Sequence, residues 1–409
     1  MEALYYADIR DLSPRIRNRE ISPVEVVRTS LDRIERLNPS LNAFITVLSE
    51  QALSQAHAAE EDLARGKWRG PLHGIPVGIK DMFDTAGIRT TAAFEHFQDR
   101  VPTKDAVTVS RLKQAGAIIV GKMNMHQLAM GTTSTVSFSG PVHNPWNARY
   151  VAGGSSGGSA AAVSAGMCYA TVDTDAIGSC RLPASCCGVT GYKGTYGLIN
   201  GKGILDGEPV EEPILRLAHV AITTRGAGDA ALMLDVLAER EGGSAAYFAG
   251  LDDAAPLQIG VATNFQSTGD VGYRFSLAVE EVRQLGYPMI DVRVPIENPG
   301  FDVHNIEADR RMIAGNLFRD CDVVILPTCA APTPAIRDAM SNPLAVSPEN
   351  TLFANYYGLP AISVPSGFNG NGLPFGLQIV GRPNQDAVVL RVADQYQHAT
   401  GWARKHPLD

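Results

Sequence analysis

The stretch Gly153-Gly154-Ser155-Ser156-Gly157-Gly158-Ser159 sets three hydroxyls among four glycines within seven residues. Glycine lets backbone amides approach a ligand closely, and a serine hydroxyl becomes a nucleophile once a base touches it. A helix starting here would offer amides to a phosphate. The Lys-Ser/Thr ending of a phosphate loop is missing, however, and Gly197 to Gly203 is one residue short of that motif and lacks its hydroxyl. Gly154-Ser155-Ser156-Gly157-Gly158 fits the G-x-S-x-G nucleophile elbow with Ser156 attacking, which requires a later acid and a later histidine; His398 and His406 are available. A flexible spacer fits poorly, because the loop is short and lies between a strand-like and a helix-like segment. Lys80 and Ser179 have plain readings of their own, as a solvated strand-end charge and a turn cap.

The elements that must hold these residues follow from periodicity. Ser22-Pro23-Val24-Glu25 is a capping box, and Val26, Val27, Leu31, Ile34 and Leu37 then recur at helical spacing, predicting a helix over 23–37. Helices are also expected over 50–65, 105–115, 225–239, 276–285 and 386–399. Strands are expected over 74–81, 117–120, 168–173, 257–262, 322–326, 361–365 and 374–380. This alternation implies an α/β fold with parallel strands joined by helical crossovers. Ser159 to Gly166 is made almost wholly of small residues and reads as a helix packed very closely on its neighbours. With no internal repeat and no obvious linker, residues 1–409 read as one domain around one large sheet.

Composition removes several function classes. The chain is 45% hydrophobic, with net charge −8 and mean hydropathy −0.03, and its lysines and arginines form no cluster that would release counterions from a nucleic acid. No apolar run approaches the roughly 18 residues a membrane span needs. The N-terminus lacks a secretory h-region, so a cytoplasmic location is expected. The six cysteines contain no C-x-x-C pair and read as buried free thiols. The nine histidines show no H-x-H or H-x-x-x-H spacing, so neither metal nor cofactor is expected.

A longer match goes further. GGSSGGSAAAVSAG is followed by Asp173-Thr174-Asp175-Ala176-Ile177-Gly178-Ser179-Cys180-Arg181 and by GVTGYKGTYG, with HGIPVGIKD upstream and GLPAISVPSGF and GLPFGLQIVGRP downstream. This run resembles the amidase signature family over nearly the whole chain. The resemblance implies a large mixed sheet covered by helices on both faces, and a Ser-cisSer-Lys triad carried here by Lys80, Ser155 and Ser179. It also implies an oxyanion hole formed by the amides of Ala176, Ile177, Gly178 and Ser179, and makes Cys180 a packing residue beside the attacking serine. Met130, Gly131 and Thr132 are pocket residues by family position. Arg181 is placed with them, although a structural ion pair with Asp175 competes for it.

Two departures stand out. Ile177 occupies a position that is commonly glycine in the family, and a β-branched residue does not readily take positive φ. Between Pro295 and Arg310, only residues 296–309 replace several dozen mostly helical residues. The expected function is hydrolysis of a small carboxamide or carbamoyl-type amide through a Ser179 acyl-enzyme, in a homodimer or with a small partner subunit completing the pocket. The alternatives are the A subunit of a glutamine-dependent tRNA amidotransferase, which the shortened stretch and the acidic charge weigh against, and a non-catalytic subunit of an amidase complex.

Overall fold

The computed structural model describes residues 3–239, 247–297 and 302–407. Its strands, in chain order, are β1 Phe44–Val47, β2 Pro76–Lys80, β3 Ile118–Met123, β4 His143–Asn144, β5 Asn147–Val151, β6 Ala170–Asp175, β7 Thr190–Lys193, β8 His219–Thr224, β9 Ile259–Ala262, β10 Met289–Val292, β11 Val323–Pro327, β12 Ala361–Phe368 and β13 Pro374–Gly381. Eleven of them join one sheet in the order β1-β3-β2-β6-β8-β7-β12-β13-β11-β9-β10, while β4 and β5 form a separate pair. The sheet is mixed: β2 runs parallel to both β3 and β6, and β9 parallel to β10 and β11, whereas β6–β8, β7–β8, β7–β12, β12–β13 and β11–β13 are antiparallel. Parallel pairs joined by crossovers thus lie toward both flanks, antiparallel strands fill the middle, and β1 adds an antiparallel edge on β3.

The expected helices are present. Helix Pro23–Leu41 runs a turn beyond its apolar periodicity before Asn42, in left-handed conformation, ends it. Ser22 caps it by accepting from the Val24 amide at 3.0 Å. Several elements had no legible signal: β1, β7, β8 and β10, and the short helices Arg181–Cys187 and Leu352–Tyr356. These are four to seven residues long, too short for a period to emerge; the longer helices Ile9–Arg17, with Pro14 inside it, and Ile306–Asn316 were not expected either.

The small-residue helix spans Gly157–Ser164 and is fully buried. Its neighbours explain the composition. A Cβ on Gly158 would lie 2.3 Å from the Asn124 carbonyl oxygen and 2.4 Å from that of Ala43, so the helix touches bare backbone there. Ala160, Ala161 and Ala162 continue the contact as part of a buried cluster that also holds Val120 and Val163. This close seat fixes the helix N-terminus beside the ends of β2 and β6, within reach of Lys80 and Thr174. Replacing Gly158 by alanine is expected to destabilise the fold by about 1–3 kcal/mol through overpacking, read as a lower urea midpoint at an unchanged m-value.

Candidate active site

Lys80 ends β2 and is wholly buried. Its Nζ lies 2.7 Å from Ser155 Oγ, 2.8 Å from Ser156 Oγ and 2.9 Å from Thr174 Oγ1. Burial lowers its pKa to about 8, with the buried carboxylates Asp173 and Asp175 acting the other way. A neutral amine has two N–H groups and one lone pair. The hydroxyl of Ser156 is directed at the Thr174 carbonyl, 3.5 Å away, and that of Thr174 at Met82 Sδ, 3.4 Å away. Both oxygens thus present lone pairs to the lysine N–H groups, which leaves the amine lone pair for Ser155.

Asp81, the acid after the lysine, anchors the end of β2. Its Oδ2 accepts from the amide and hydroxyl of Thr91 at 2.9 and 2.5 Å, and Lys122 Nζ lies 3.6 Å from Oδ1. Lys122 is itself buried, and burial lowers its pKa to about 8.

The peptide between Gly154 and Ser155 is cis. The Ser155 carbonyl accepts from the His126 amide at 2.9 Å and from Ser134 Oγ at 3.3 Å. His126 Nδ1 accepts from the Ser134 amide at 3.2 Å. Burial, helped by the Lys80 charge, depresses this histidine to about 4, so it stays neutral and braces the 132–135 loop. Ser179 sits in the turn after β6, 4% exposed, and its carbonyl accepts from the Ser156 amide at 3.0 Å. That bond ties the loop of the cis serine to the loop of the expected nucleophile.

Asp175 shapes the second loop. Its carboxylate accepts from the amides of Gly178 at 2.8 Å and Cys180 at 3.2 Å, and from Arg181 Nε and Nη2 at 2.9 Å each. Burial alone would raise this carboxyl, but the Arg181 charge and its hydrogen bonds prevail and hold it well below the usual range. Gly178 has φ +129°, and a Cβ there would meet Thr351 Oγ1 at 2.3 Å, so glycine is required. Ile177 does not take positive φ; the turn's unusual backbone falls on Gly178 alone, which resolves the departure at position 177.

Two expectations are corrected. The amide of Gly178 donates to Asp175 and so is not free for an oxyanion; the amides of Ala176, Ile177 and Ser179 have no acceptor among the described residues. Arg181 is not a pocket residue. It is fully buried, and its five N–H groups are taken up by Asp175, the Thr351 carbonyl, Gln378 and Asn355.

Thr132 is buried and donates its amide to the Pro343 carbonyl at 2.7 Å, and a Cβ on the buried Gly131 would overlap the His126 ring. Met130, in contrast, is 62% exposed. Cys180 is buried with Sγ on Thr223 Oγ1 and the Ile222 carbonyl, and burial beside Asp173 and Asp175 raises its thiol well above the ordinary value, leaving it protonated. The elbow reading finds no histidine at its serine: Ser156 Oγ meets Lys80 Nζ and the Thr174 carbonyl, while His398 pairs with Asp394 on its own helix and His406 stacks on Tyr6 at 3.6 Å.

The residues missed in the sequence are Thr174, Ser156 in its role as a lysine acceptor, His126 and Asn355. Thr174 lies between two acids in the run before Ser179, which was its only signal.

Known proteins share this architecture. The family model described as "Amidase" matches residues 25–305 and 301–390. The A subunit of the glutamyl-tRNA(Gln) amidotransferase of Geobacter metallireducens is 33% identical over 485 aligned positions, covering 98% of each chain. An alignment that long against 409 residues means that this relative carries several dozen positions without a counterpart here. Among solved structures, 6-aminohexanoate cyclic dimer hydrolase in complex with substrate superposes with TM-score 0.87 at 25% identity, covering 99% of both chains. The A subunit of the glutamyl-tRNA(Gln) amidotransferase from Thermotoga maritima superposes with TM-score 0.76 at 28% identity, covering 96% of this chain and 94% of that one.

Two outcomes follow from the lysine cage. Lys80 accepts a proton only when neutral, so kcat/KM is expected to fall as pH drops below about 8; a flat profile from about pH 6 to 9 would remove Lys80 as the base. Thr174→Val removes an acceptor that favours the ammonium form. The acid limb should then move to lower pH, while kcat drops about tenfold because the lone pair is less well aimed. Steady-state profiles of both proteins measure this.

Proposed function

The chain belongs to the amidase family, and from that membership we propose that it hydrolyses a carboxamide at Ser179 through an acyl-enzyme. The observation that carries the reading is the 2.7 Å contact between the buried Lys80 amine and Ser155. In the reaction, Ser179 Oγ forms a bond to the amide carbon. Its proton passes to Ser155 as the Ser155 proton passes to Lys80. The carbonyl oxygen gains charge facing the amides of Ala176, Ile177 and Ser179. Collapse breaks the C–N bond, and the proton held on the lysine returns through Ser155 to the leaving nitrogen. Ammonia or an amine departs, and water then attacks the acyl-enzyme by the same relay. Losing one oxyanion donor costs about 2.7–4 kcal/mol in comparable sites.

The identity of the amide divides the reading. Relatives that are A subunits of glutamyl-tRNA(Gln) amidotransferases, matched over almost their full length, favour glutamine as the amide and an assembly with other subunits over a free-standing enzyme. The shorter chain and the superposition on a cyclic dimer hydrolase at TM-score 0.87 favour a small amide and a self-sufficient protein.

A fluorophosphonate probe followed by peptide mass spectrometry tests the chemistry, with an adduct expected on Ser179 and lost in Lys80→Ala. An adduct on Ser156 that survives Lys80→Ala would overturn it, and absence of labelling would favour a non-catalytic subunit. Ammonia release by the purified chain then separates the substrates. Turnover of glutamine above a panel of small amides supports the amidotransferase reading, and turnover of small amides with glutamine inert supports the free-standing one.

A further inference from the structure

The shortened stretch does not end in open solvent. Residues in its second half, and Arg310 just after it, grip the short helix Leu352–Tyr356, and that helix holds the loop of Ser179. On the inner side, Asn355 Nδ2 donates to the Asp175 carbonyl at 2.8 Å and to Asp175 Oδ1 at 2.9 Å, while its Oδ1 accepts from Arg181 Nη2 at 2.5 Å. Asn355 therefore clamps the one residue whose carboxylate bends the 176–181 turn. On the outer side, Arg310 Nε donates to the Tyr356 carbonyl at 2.8 Å, and Nη2 donates to the carbonyls of Asn355 at 3.3 Å and Arg216 at 2.7 Å.

The last carbonyls of a helix lack intrahelical partners, and a guanidinium at that end satisfies them with the favourable sign for the helix dipole. Arg310 also lies over the Tyr196 ring, 3.9 Å from its centroid. The Tyr356 hydroxyl reaches the Asp302 carbonyl at 2.9 Å and Asp309 Oδ2 at 2.5 Å.

We propose that Asn355, Arg310 and Tyr356 are positioning residues that transmit the placement of the Asp302–Arg310 segment to the oxyanion turn. None of them needs to touch substrate. Each acts through Asp175, which sets where the free amides of Ala176, Ile177 and Ser179 point. The short connection thus serves as a brace on the catalytic turn, and this role rests on the reading of Ser179 as nucleophile.

The test uses the purified full-length chain and the second-order rate of fluorophosphonate adduct formation at Ser179, which requires no knowledge of the natural substrate. Arg310→Met and Asn355→Leu are each expected to slow labelling about tenfold. Because both act through one chain of contacts, the double variant should be no slower than the slower single. Tyr356→Phe, which keeps the ring and loses only the hydroxyl bonds, should slow labelling about threefold, and it keeps the test open if a larger change prevents folding. Arg310→Lys should recover part of the rate. Thermal denaturation of each variant separates a positional effect from loss of fold. Folded variants that label at the wild-type rate, or single effects that multiply in the double variant, would overturn the brace. Failure of the wild-type protein itself to label at Ser179 would instead sink the underlying reading of the nucleophile.

Discussion

A lysine amine removed from water must either lose its proton or have every N–H accepted by a neighbour, since an isolated buried charge is too costly to keep. The fold meets that condition at Lys80 with three hydroxyls, two of which direct their own protons elsewhere. Much of the surrounding architecture serves this arrangement. The lysine comes from the end of β2, Thr174 from the parallel neighbour β6, and the two serines from the loop entering the small-residue helix. Because Gly158 lets that helix sit against the backbone oxygens of Asn124 and Ala43, the serine loop reaches the strand ends without an intervening side chain.

A second buried charge organises the other half of the site. Breaking a buried pair leaves an uncompensated ion, which is strongly destabilising, so Asp175 and Arg181 hold one another in a single arrangement. The carboxylate spends its remaining capacity on the amides of Gly178 and Cys180. The turn leaves the amides of Ala176, Ile177 and Ser179 without an acceptor among the described residues. The two halves meet in the bond from the Ser156 amide to the Ser179 carbonyl.

Relatives of nearly matching span carry several dozen positions that this chain lacks, yet the sheet is complete across eleven strands. In this chain the segment Asp302–Arg310 is tied to the helix Leu352–Tyr356 through Arg310 and the Tyr356 hydroxyl. These contacts support the helix and, through Asn355 on Asp175, the turn behind it.

The local text of the chain determined most of the long helices, though not Ile9–Arg17 or Ile306–Asn316, together with the strand at Lys80, the crowded helix and, through the length of one motif, the three candidate triad positions. Each of these is written within a short window, as periodicity, residue size or spacing. The tertiary structure decided the rest. The mixed sheet that the resemblance implied could not be read from periodicity, because it depends on short strands such as β7 and β8, whose four and six residues carry no readable period. Arg181, a pocket residue by its place near Ser179, proved to be saturated by Gln378 and Asn355, which lie 197 and 174 residues away in sequence. Gly178 lost its oxyanion role to a carboxylate three residues before it. Thr174 became part of the lysine cage only because β6 lies beside β2. Spacing along the chain names the residues able to react. Which of their donors and lone pairs stay free is settled only when distant segments have taken the others.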